Sequence, residues 1–272
     1  MGYQEIIVQD LQTKGSDIDA MSFKEFLSKD PKTKRIPNYQ RPYSWDELQV
    51  IVLFKDLDNV IQVEGKQWFF GPLFTTQRTN EKNIEEVEIL DGQQRITTII
   101  LMLRVLYCIE YFMDSSWIWS DEYNDDQRNN FKSTHKGLKG IIKNCLIEGG
   151  MVNDSFQYKS RFLTDLSSRE VFSEWIVNME RINDKKSYEN NLALRNVRSS
   201  KFALTKERIN KNLVVIQDNI QKRAESLDGL VKINDLINCI LNRLYIINVP
   251  LYKSSSVLEI FETLNNRGKP LN

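Results

Sequence analysis

Histidine is almost missing from this sequence. One histidine, His135, leaves next to no room within the chain for zinc centres or histidine-based catalysis. Cysteine is scarce as well. Cys108, Cys145 and Cys239 are far apart and odd in number, which excludes a disulfide scaffold and fits a reducing cytosol. Net charge is lacking: 37 Lys and Arg face 37 Asp and Glu, so nucleic acid cannot be held by bulk charge and any contact needs a local patch. No apolar run is long enough to span a bilayer. The opening MGYQEIIVQD has neither the basic start nor the apolar stretch of a signal peptide. A cytoplasmic location without a membrane partner is expected.

What is there is an ordinary globular composition, 41% hydrophobic and 27% charged over 272 residues, ample for the core of one large or two small domains. Phe23, Phe26 and Leu27 share a face of a helix from Ser22 to Lys29, which Pro31 ends, and Arg35-Ile36-Pro37 continues as an extended edge. Ser44-Trp45-Asp46-Glu47 has the form of a capping box, opening a helix with Val50, Leu53, Phe54, Leu57, Val60 and Ile61 at helical spacing. Trp68 to Thr76 predicts a strand kinked at Gly71-Pro72, Gln77 to Asn83 a polar loop, and Glu86 to Leu90 a short strand. Ile96 to Met113 predicts a helix too rich in Ile and Leu for a surface. The polar, acidic Ser120 to Lys136 is the best internal boundary, and residues 156–180 and 187–245 read as mostly helical. Tyr245 to Leu251 reads as a strand returning to the first sheet, and Ser256-Val257-Leu258-Glu259 as a second capping box opening a short helix through Leu264.

The expected class is therefore α+β. Residues 1–118 would form a small mixed sheet with helices, 119–244 a mainly helical portion, and 245–272 a returning strand, helix and closing loop of the first portion. Asn272 falls just past a glycine turn, and the chain is expected to be a piece of a longer protein.

Three segments carry chemistry. Glu88-Ile89-Leu90-Asp91-Gly92-Gln93-Gln94-Arg95-Ile96-Thr97-Thr98 runs from strand through a tight polar turn into a helix. A helix start with free amides, partial positive charge and an arginine is an anion site suited to phosphate. The alternative is a helix start whose polar residues only cap and hydrate, but capping needs one short polar residue, not two glutamines and an arginine. Asp91 either holds a magnesium ion or orients water, or serves as the helix N-cap. The second segment, Ile36 to Trp45, sets Gln40 and Arg41 among Tyr39, Tyr43 and Trp45. The aromatics either stack on a base or, the favoured reading, anchor the core. The third, Phe261 to Leu271, contains Asn265, Arg267 and Gly268, which either terminate a helix or close over a ligand.

In their order and spacing, IPNYQRPYSW, FFGPLFTT, ILDGQQRITT and FETLNNRGKPL resemble the N-terminal domain of GmrSD-type restriction endonucleases, modification-dependent (type IV) phage-defence proteins. The resemblance implies a ParB/sulfiredoxin-like nucleotide-binding fold. It also implies a domain that binds and hydrolyses a nucleoside triphosphate with Mg2+, governing cleavage of modified DNA by a nuclease module or subunit further downstream. By the same resemblance Asp91, Gln94 and Arg95 lie at the phosphates as catalytic residues. Gln40, Arg41 and Tyr43 form the facing wall, Gly92, Gln93, Thr97 and Thr98 complete the turn, and Asn265, Arg267 and Gly268 close it. No resident metal site is expected in this chain, because the family's histidine-rich nuclease module is not in it. His135 lies outside every motif and reads as a lone surface histidine.

Two other functions stand beside hydrolysis. One is a module that senses nucleotide or DNA backbone without turnover. The other is an interaction domain using the charged stretch Ser187 to Ser226. Two basic stripes, Lys132, Lys136, Lys139 and Lys143, then Arg195, Arg198, Lys201, Lys206, Arg208 and Lys211, could follow phosphates, but interleaved acids such as Glu207 favour a solvated surface. Arg95→Ala is expected to weaken nucleotide binding at least about tenfold and to leave folding largely intact.

Overall fold

A computed structural model describes residues 19–30, 33–37, 39–80, 83–113, 119–152, 155–164, 169–193 and 203–250. β1 (Asp19–Ser22) runs straight into α1 (Phe23–Ser28), where Ser22 and Glu25 form a capping box and Phe23, Phe26 and Leu27 are buried. β2 (Lys34–Arg35) follows. α2 (Glu47–Ile61) buries Val50, Leu53, Phe54, Leu57 and Val60, the face its spacing predicts. Its cap lies two residues later than expected. Asp46 accepts from the Leu48 and Gln49 amides while Gln49 reaches back to Asp46 N. Ser44 is committed elsewhere, its amide donating to Gln94 Oε1 at 2.7 Å.

β3 (Trp68–Thr79) and β4 (Glu85–Asp91) are antiparallel. The kink at Gly71-Pro72 is present as a register shift between Phe69 and Pro72 where β3 pairs with residues 244–250. The expected loop from Gln77 is instead strand, because Gln77, Arg78 and Thr79 pair with Val87, Glu86 and Glu85. Polar side chains on an exposed ladder end do not prevent pairing. α3 (Gln93–Tyr107) is buried along nearly its whole length and stops at Cys108, so the apolar run continues only as the short α4 (Ile109–Phe112).

The polar stretch proposed as a boundary is largely α5 (Asp125–Leu146), capped by Asn124 and Gln127. It buries His135, Leu138, Ile142, Cys145 and Leu146 at helical spacing. The polarity belongs to its outer face. Beyond it, β5 (Ile147–Val152) and β6 (Ser155–Ser160) form a separate antiparallel pair and β7 (Phe162–Leu163) joins the main sheet, so the stretch 156–180, expected to be mostly helical, begins extended. Gly149-Gly150 disfavours continuation of the helix. Helix resumes with α6 (Arg169–Val177), α7 (Lys185–Leu192), α8 (Ala203–Ala224) and α9 (Gly229–Asn238), and a π-helical turn at Cys239–Arg243 leads into β8 (Leu244–Pro250).

The main sheet is mixed, in the order β1-β8-β3-β4-β2-β7. β8 returns as expected, antiparallel to β1 and parallel to β3. A single buried cluster runs from Met21 to Ile246, with α3 in its middle touching α5 and α8. Among the described residues no helix is long and apolar enough to cross a membrane.

Candidate functional site

The turn between β4 and α3 is built on Gly92, which stands at φ 92° as the N-cap residue of α3 and provides no side-chain cap. Asp91 is therefore not the cap. It ends β4 half-buried, opposite Phe74 of β3. The first amides of α3 carry the positive end of a 15-residue helix.

Arg95 does not pair with Glu88, which is bound by Arg78 at 2.9 Å. Its guanidinium lies over the Phe70 ring, donates to the Phe70 carbonyl, and donates to the Pro72 carbonyl at 3.1 Å. It thus fills the inside of the β3 kink. Gly71, at φ 110°, makes this possible, because a Cβ there would sit 1.8 Å from Arg95 Nη1. Burial lowers the Arg95 pKa, against the opposing pull of Asp91.

The glutamines fasten the second segment to the turn. Gln94 donates to the Pro42 carbonyl at 3.1 Å and accepts from Ser44 N at 2.7 Å. Gln93 donates to Gln40 Oε1 at 3.1 Å, and Gln40 donates to the Leu90 carbonyl at 2.7 Å. All three are buried. The Tyr43 hydroxyl meets Thr98 Oγ1 at 2.8 Å, and Thr98 donates to the Gln94 carbonyl at 2.9 Å. Burial pushes the Tyr43 phenol up to about 12, while its bonds to Thr98 and Asn212 pull the other way. Thr97 is buried beside them.

Gln40, Tyr43, Gln93, Gln94 and Thr98 are thus brought together, but by bonds to one another and to backbone. Arg41 is different: it is exposed, next to this wall. Tyr43 is a core anchor and Trp45 packs against the core, as favoured, whereas Tyr39 is 61% exposed. Asn265, Arg267 and Gly268, and the second capping box, lie outside the described residues. The strand that leads toward them, β8, ends with Val249 and Pro250 on the flank of β3 opposite Asp91.

Other sequence readings change. His135 is buried rather than on the surface, and its Nδ1 meets Asn234 Oδ1 at 2.9 Å. Asn234 donates its amide to the Phe131 carbonyl, so the imidazole is the donor in that pair. Burial lowers the His135 pKa, against the opposing pull of the Asn234 bond and the Glu110 carboxylate. In the first basic stripe Lys139 pairs with Glu110 and Lys143 with Glu180, leaving Lys132 and Lys136 exposed. In the second, Lys211 pairs with Glu207, and Arg195, Arg198 and Lys201 lie outside the described residues. Two polar residues in no motif prove central: Asn212, which donates to the Tyr43 hydroxyl and the Trp45 carbonyl, and the fully buried Arg104. A polar residue on the apolar face of a helix was the available signal for both.

Among the described residues no three His, Cys, Asp or Glu side chains group to hold a metal ion. A cleft of about 370 Å³, lined by Asp58, Gln62, Lys222, Arg223, Lys232 and Asp235 among others, includes none of the turn's residues.

Against known proteins, residues 23–272 match the family model described as the N-terminal domain of the GmrSD restriction endonuclease. A comparison with curated proteins gave no match.

Proposed function

Because the chain belongs to the GmrSD restriction endonuclease N-terminal domain family, we propose that the β4–α3 turn binds the phosphates of a nucleoside triphosphate and that this occupancy governs a nuclease module acting on modified DNA. The observation that carries the reading is the uncapped start of α3, where no side chain of the N-cap residue fills the first amides. Such amides suit phosphate oxygens. Arg41, exposed and next to Gln40 in sequence, supplies a guanidinium that can fork onto a phosphate.

Asp91 makes the proposal specific. A carboxylate at this turn repels a bare phosphate, and Asp91 is the residue that would hold a Mg2+ ion arriving with the nucleotide and so relieve the conflict. Bound there, the ion would supply neutralisation of phosphate charge. The chain's own contributions are orientation by the amides and Arg41, and a rigid wall fixed by Gln40, Gln93 and Gln94.

A second reading, sensing without hydrolysis, is favoured by one observation. Gln94 and Arg95, the groups nearest to a catalytic role, are spent on internal bonds. Calorimetric titration with ATP, GTP, CTP and UTP, each with and without Mg2+, tests the site, and phosphate release separates the two readings. Binding that needs Mg2+, weakened about tenfold by Arg41→Ala and made less Mg2+-dependent by Asp91→Asn, is expected. Failure of all four nucleotides to bind the folded chain overturns the site.

A further inference from the structure

We propose that Asn212 of α8 is a positioning residue for the turn. It sets the direction of a buried hydrogen-bond chain that holds residues 42–45 against the start of α3. The proposal deepens the nucleotide reading above and rests on it for its affinity arm.

The argument starts from what each group can do. The Trp45 carbonyl can only accept, and Asn212 Nδ2 lies 3.0 Å from it. Asn212 must therefore turn its nitrogen toward the wall, which also aims it at the Tyr43 hydroxyl, 2.9 Å away. Tyr43, accepting there, has one proton left, and this goes to Thr98 Oγ1 at 2.8 Å. Thr98, now accepting, gives its own proton to the Gln94 carbonyl at 2.9 Å. One polarity thus runs from α8 through the wall into the first turn of α3, whose Gln94 side chain closes the circuit at Pro42 and Ser44.

The asparagine is not there for packing. It is fully buried, and its Oδ1 has no hydrogen-bond partner. An unfilled buried acceptor is unfavourable, and a leucine of the same branched skeleton would avoid it. What the amide alone supplies is two donated protons. Asn212 stands 169 residues from Tyr43 in sequence, so the helical part of the chain, not the motif, completes the wall.

Asn212→Asp tests this with almost no change in shape. Ionised, the aspartate donates no proton, and protonated it donates one, so the chain cannot keep its direction. Hydrogen exchange read by mass spectrometry on the whole chain without nucleotide is expected to quicken at least tenfold in residues 42–46 and 93–98, with β8 and α9 unchanged. A purely structural role would instead quicken exchange throughout. Unchanged exchange in those two segments overturns the proposal. If Asn212→Asp unfolds the chain, Tyr43→Phe removes the middle hydroxyl without adding charge. The same local quickening is expected of it, and its absence is equally decisive. Titration with MgATP and MgGTP should show at least tenfold weaker binding than wild type. Quickened exchange with wild-type affinity overturns positioning of the site. If wild type binds none of ATP, GTP, CTP and UTP with Mg2+, the nucleotide reading falls, and the exchange result alone decides whether Asn212 positions the wall.

Discussion

Removing the Arg95 guanidinium leaves the Phe70 and Pro72 carbonyls without their donor and empties the inside of the β3 kink. Hydrogen bonds from a charged donor contribute roughly 1.5–3 kcal/mol when buried, and less where solvent reaches them as it does here. Arg95→Ala is therefore expected to lower stability by about 1–2 kcal/mol, a fall in Tm of several degrees in a chain of this size. Folding itself is still expected to be largely intact, at this lower stability. Gly71→Ala should be worse, since it adds backbone strain at φ 110° and a methyl against the guanidinium. An unchanged melting curve for either variant would remove Arg95 from the kink. Lys34 makes a pH-dependent prediction. It is buried, donates to the Lys29 carbonyl, and desolvation lowers its pKa from 10.5 to about 8. Below pH 8 both folded and unfolded chains carry the proton, so folding bears the full cost of a buried ammonium. Between about 8 and 10.5 the unfolded chain binds more protons, and stability from this group rises with pH. Urea melts of wild type and Lys34→Met across pH 7–10 should show wild type gaining on the variant as pH rises, by at most about 3 kcal/mol. A constant difference would show that Lys34 does not titrate there.

Arg104 shows how the elements are joined. It lies fully buried in the last turn of α3, stacked 3.9 Å from the centre of the Trp175 ring. It donates to the Trp175 carbonyl at 3.1 Å and the Asn191 carbonyl at 3.0 Å. Those carbonyls belong to α6 and α7, and the Trp175 indole donates to the carbonyls of Asn191 and Leu192 at the end of α7. A cation at a helix C-terminus also meets the negative end of the dipole. Arg104→Leu should cost about 2–4 kcal/mol, since it strands buried carbonyls and loses the stacking. Hydrogen exchange should rise first in α6 and α7, not in the sheet. Uniform exchange across the chain would show that Arg104 does not fasten those helices. The same scale holds the clearest misreading, the helix expected from residue 156, where β6 pairs with β5. Met151 and Phe156 face each other there at 68% and 61% exposure, and a two-stranded pair with so little burial has no strong alternation to betray it.

At the scale of the whole molecule one core joins the regions before and after residue 119. With one histidine in the whole sequence, this chain alone is expected not to cleave DNA. Incubation with modified and unmodified plasmid plus Mg2+ checks it, and nicking abolished by a change in the turn would reverse the assignment. The sequence by itself determined the apolar faces of α1 and α2, the buried α3, the kink at Gly71-Pro72, the returning β8 and the strand–turn–helix at Gly92. These depend on spacing, on glycine's access to positive φ and on β-branched runs, all of which are local. It also singled out Gln40, Tyr43, Gln93, Gln94 and Arg95 as one group. Only the tertiary structure decided what those side chains touch. Arg95 turns to the strand kink and the glutamines to the wall because carbonyls of residues 42, 70, 72 and 90 come within reach only after the sheet and α3 have packed. Asn212 and Arg104 were invisible as site residues for the same reason. Each is a single polar side chain in a helix, and its value lies in partners brought close by folding across 71 to 169 residues of chain.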